Sequence, residues 1–104
     1  MYNHLGFYLS QRIAQPLAAE FGDRLERMSK TEKLLLINIL SGVLHELESI
    51  RVESYSAAEY IHEQGIHPDV VGNLMPLLER FDEYDSSTNQ TIVMVLALSL
   101  QGGS

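Results

Sequence analysis

Apolar residues recur along this chain at steps of three and four. Leu5, Leu9 and Ile13 step by four, and Leu17, Phe21, Leu25 and Met28 step by four, four and three, so each set marks one face of a helix. Pro16 stands between the sets and would clash with the Arg12 carbonyl inside a continuous helix. The pattern allows a kinked helix over about 3–28, or a helix ending near Ala14 with Pro16 as the first residue of the next; the break is the preferred reading. From Leu34 to Leu47, nine apolar residues (Leu34, Leu35, Leu36, Ile37, Ile39, Leu40, Val43, Leu44 and Leu47) cover most of a helical circumference. They predict a central, buried helix over about 30–49. A short helix is expected over 57–64, stopped by Gly65, which can take the left-handed conformation of a C-cap. Pro68 opens another, with Val70, Leu74, Leu77, Leu78 and Phe81 on one side and a kink or interruption at Pro76. A last helix is expected from Thr88 to about Leu100.

Three helix starts share one grammar. Ser29-Lys30-Thr31-Glu32, Ser56-Ala57-Ala58-Glu59 and Ser87-Thr88-Asn89-Gln90 each read S-x-x-E/Q, the spacing at which a serine oxygen and a Glu or Gln side chain satisfy each other's backbone N–H. The run TIVMVLALSL has the β-branched content of a buried strand, but no other segment alternates long enough to pair with it, so helix is preferred. The predicted fold is all-α: a small single-domain bundle of five to six helices around the helix at about 30–49. Residues 1–101 form the domain and 102–104 a flexible tail.

Composition narrows the chemistry. The 104 residues contain no Cys, which excludes disulfides, thiolate zinc sites and thiol catalysis. The opening MYNHLGFYLSQR lacks the basic start and apolar core of a signal peptide, so the cytoplasm is the expected location. No apolar run is long enough to span a bilayer. The net charge of −7 argues against nucleic acid and anionic membranes as partners. That charge is unevenly placed: residues 1–33 are nearly balanced at +1, and residues 34–104 hold ten carboxylates against Arg51 and Arg80. The second part of the chain is therefore where a cationic partner is to be sought.

Each candidate site also has a plain structural reading. His67-Pro68-Asp69 matches the triplet of J-domain cochaperones, but the preceding segment carries Glu59 and Glu63 in place of a basic surface. As local structure, Pro68 is a first helical residue and Asp69 complements the helix dipole. Glu59, His62, Glu63, His67 and Asp69 do not form HExxH or a repeated Glu-x-x-His, so no metal site is assigned. Asn38, Ser41, His45 and Glu48 fall at steps of three, four and three, a polar stripe beside Gly42. It reads first as a solvent face, second as a seam for close helix approach, and third as a ligand site. Phe81-Asp82-Glu83-Tyr84-Asp85 interleaves aromatics with acids, the composition suited to anchoring and steering a basic protein surface. Three acids at a helix C-terminus oppose the dipole, which makes this run the leading partner-binding candidate.

No glycine-rich phosphate loop and no nucleophile–base set is legible, so neither enzyme nor cofactor is assigned. In size, acidity and helicity the chain resembles bacterial immunity proteins, a resemblance of type that implies a protein-binding role. The expected function is an inhibitor, immunity, antitoxin-like or adaptor module that covers a basic surface of a partner protein. The alternative is a structural or assembly subunit acting as a homodimer. A small metal- or ligand-binding protein using His45, or His62 with His67, ranks third.

Overall fold

Two of the three serine starts close as the spacing requires. In the computed structural model, which describes residues 4–49 and 54–101, Ser29 Oγ accepts from the Glu32 N–H at 3.1 Å and Glu32 Oε1 accepts from the Ser29 N–H at 2.8 Å. Ser56 and Glu59 repeat the exchange at 3.1 and 3.3 Å. The helices are α1 (Leu5–Tyr8), α2 (Gln11–Phe21), α3 (Lys30–Ser49), α4 (Ala57–Glu63), α5 (Pro68–Val71), α6 (Met75–Phe81) and α7 (Ser86–Gln101). A 3-10 turn, Gly72–Leu74, joins α5 to α6, and no strand occurs among the described residues. The fold is an all-α bundle. The expected tail at 102–104 lies outside the described residues, as does Arg51.

The most extensive helix–helix contact joins α3 to α7. Leu36, Ile39, Leu40 and Val43 of α3 are buried, and so are Ile92, Val95 and Leu96 of α7. Onto this pair dock Leu5, Ile13, Leu17 and Phe21 from α1 and α2, and Leu77, Leu78 and Phe81 from α6, in one apolar core. Burying a side chain of this size stabilises by about 1.5–3 kcal/mol, so these contacts dominate the energetics.

Several boundaries differ from the apolar pattern. The preferred break at Ala14–Pro16 is absent: α2 runs through Pro16, and the break falls at Leu9 and Ser10, both extended. Pro16 and Arg12 lie on the solvent side, where water can serve the Arg12 carbonyl, while buried Ile13, Ala14, Leu17 and Phe21 hold the helix to the core. Past Phe21 the helix stops. Gly22 has φ +93° and Leu25 has φ +57°, a left-handed conformation costing roughly 1–2 kcal/mol for a residue with a Cβ. Leu25 and Met28 still reach the core, from a turn instead of a helical face. Arg27 closes the end of α2 by donating to the carbonyls of Ala18, Ala19 and Glu20 at 3.4, 3.0 and 3.4 Å. Pro68 and Pro76 behave as the sequence suggests: Pro68 is the first residue of α5, and Pro76 sits in the first turn of α6.

Nor is α3 covered all round. One face is buried, Leu35, Ile37, Leu44 and Leu47 are half-buried, and Leu34 is 57% exposed. Lys33, by contrast, is only 1% exposed; burial pushes its ammonium below the ordinary lysine range, against the opposing charge of Glu26.

Gly42 has a specific packing task. A Cβ there would overlap Cε1, Cζ and the hydroxyl of Tyr60 on α4, so the glycine lets the Tyr60 side chain lie close on α3. Helix propensity alone makes Gly→Ala favourable by about 1 kcal/mol, whereas overpacking costs about 1–3 kcal/mol. Gly42→Ala is therefore expected to lower the thermal midpoint in the native background and to raise it when Tyr60→Ala removes the ring; calorimetry on the double-mutant cycle reads the change of sign.

Candidate functional site

Both α4 and α7 begin at one end of the molecule, and the carboxylates there are bound up with those starts. Asp82, at the end of α6, reaches across 25 positions of sequence so that its Oδ1 accepts from the Ala57 N–H at 3.0 Å. This closes a donor of α4 that the Ser56 capping box leaves open. Asp85 Oδ1 accepts from the Thr88 N–H at 2.7 Å, and the Asp85 carbonyl accepts from Asn89. Asp85, and not Ser87, is therefore the cap of α7. The helix starts at Ser86, two residues before the spacing of the third serine start predicts. The partial positive charge of a helix N-terminus favours an ionised carboxylate at Asp85, whereas burial works against ionisation at Asp82.

Between these starts lies a notch of about 440 Å³ lined by Leu47, Tyr55, Glu59, Asp82, Tyr84 and Asp85, with serines 54, 56 and 86. Tyr55 donates its phenol to Glu63 Oε2 at 2.7 Å. Partial burial, that hydrogen bond and the charges of Glu63, Glu46 and Glu59 together push the phenol up to about 12. Burial also raises Asp82; the Ala57 bond opposes this, and Glu79 and Glu59 add to it. Asp85 is held below the ordinary carboxylate range by its bonds to Thr88, with a further pull from Arg12. These shared influences show that acids from α3, α4, α6 and the α6–α7 turn, far apart in sequence, converge on one end of the fold.

Each residue of the run 81–85 has its own situation. Phe81 is 1% exposed and belongs to the core, so it is no surface anchor; its ring lies 5.9 Å from that of half-buried Tyr84. Asp82 and Asp85 are caps that remain at the surface. Glu83 is exposed, and among the described residues its carboxylate makes no hydrogen bond or ion pair. Arg80 turns away from the notch to Glu20 of α2, at 3.7 Å. The residues that sequence reasoning did not connect to this run are Tyr55, Glu59, Glu63 and Glu79. Only their acidity was available as a signal, since the contact between α4 and α6 is long-range.

The polar stripe of α3 divides into two parts. Asn38, Ser41, His45 and Glu48 are all exposed. Asn38 Oδ1 accepts weakly from the Tyr60 hydroxyl at 3.5 Å, beside Gly42, so this part is a seam against α4. His45 Nε2 meets Ser49 Oγ at 3.2 Å on the same helix, facing solvent. His67 is the N-cap of α5: its Nδ1 accepts from the Asp69 N–H at 3.1 Å, which accounts for the His-Pro-Asp triplet as local structure. His62 and His67 border an apolar groove of about 480 Å³ with Ile61, Ile66, Val71 and Met75. No group of three potential metal ligands occurs among the described residues.

Compared with protein-family models, curated proteins and solved structures, the chain matches none. Among the described residues no helix is long and apolar enough to cross a membrane.

The two caps respond oppositely to pH. Asp85 is more acidic folded than unfolded, so its contribution is present above the ordinary carboxylate range and fades as pH falls through the lowered value. Asp82 is less acidic folded, so its ionisation reduces stability as pH rises from the ordinary range through the raised value. Asp82→Asn, which keeps an oxygen for the Ala57 N–H, is expected to raise the thermal midpoint near pH 7, with the gain vanishing near pH 3. Asp82→Ala should cost about 1 kcal/mol through the lost bond. Asp85→Ala should lower the midpoint near pH 7 and have less effect near pH 3, as circular-dichroism melts at both values would register.

Proposed function

We propose that this chain is a protein-binding module, and not an enzyme, whose acidic end covers a basic surface of a partner protein in the manner of an inhibitor, immunity or adaptor protein. The observation that carries the reading is a notch lined by Glu59, Asp82 and Asp85 with Tyr55 and Tyr84, with Glu46 and Glu63 acting on Tyr55 and Glu79 on Asp82 from close by. Burial is the main influence that raises Asp82 and Tyr55, and the neighbouring glutamates add to it in both cases. Asp82 and Asp85 are held there as caps, Glu59 by its own capping box and Glu63 by the Tyr55 phenol; Glu79, Glu83 and Glu46 have no such bond among the described residues. Their field would attract a cationic partner and speed its encounter. Tyr84 and Tyr55 replace Phe81 as the aromatic contacts, since amphipathic rings at a wet rim suit recognition.

The test is affinity capture from a host lysate with mass-spectrometric identification, using the native chain and a Glu79→Lys/Glu83→Lys variant, at about 0.1 M and about 0.5 M salt. Both reversals spare the caps and leave the fold intact. A basic protein held by the native chain at low salt, and released by high salt or by the reversals, is the expected result. Capture that is indifferent to both would exclude the acidic end as the binding surface.

A further inference from the structure

We draw no further inference here: the strongest candidate, the apolar groove between α4 and the α5–α6 segment that Ile61, Ile66, Val71 and Met75 line and His62 and His67 border, carries nothing because nothing in the structure shows what covers it.

Discussion

A helix of four to seven residues has more backbone groups without intrahelical partners than with them, and α1, α4, α5 and α6 are all of that length. The apolar core supplies most of the stability, and the bundle depends on closing helix ends for the short helices to form at all. The long pair α3 and α7 supplies the buried surface, and the short helices dock on it through apolar side chains, with side chains also closing the first turns of α4 and α5. Ser56 and Glu59 close α4 locally, and Asp82 closes it from the end of α6. His67 closes α5, and Asp85 closes α7. Even α1 is tied at its start, where the Leu5 N–H donates to the Asp23 carbonyl at 2.7 Å.

This constraint changes what the acidic charge means. Asp82 and Asp85 sit in the α6–α7 turn because helix starts converge there, and their positions are fixed by hydrogen bonds. The same packing brings glutamates near Asp82 and Tyr55, where their charges add to the larger effect of burial. An acidic notch at one end and a helix, α7, that begins there and carries no ionisable side chain give the molecule surfaces of different character.

Local signals were legible in the sequence, and long-range ones were not. The starts at Ser29 and Ser56 and the roles of Pro68 and Pro76 each depend on residues within four positions, so spacing sufficed. Ser87 misled because Asp85, two residues earlier, offers α7 a charged acceptor for the Thr88 N–H. Pro16 misled because four buried residues around it hold α2 together despite one lost hydrogen bond. The periodicity of Leu17, Phe21, Leu25 and Met28 was real as a core pattern but not as a helix, since Leu25 takes a left-handed conformation. At the site, the acidity of 82–85 was plain. The burial of Phe81, the Asp82–Ala57 bond and the approach of α4 to α6 follow from tertiary packing that no local spacing encodes.

The most direct measurement is an NMR titration of the isotope-labelled chain with a short arginine-rich peptide, at low and at high salt. The account predicts amide shifts concentrated at residues 54–59 and 79–86, with α7 beyond its first turn unaffected and the shifts fading as salt rises. Shifts spread evenly over the surface, or centred on the apolar groove beside His62 and His67, would contradict it.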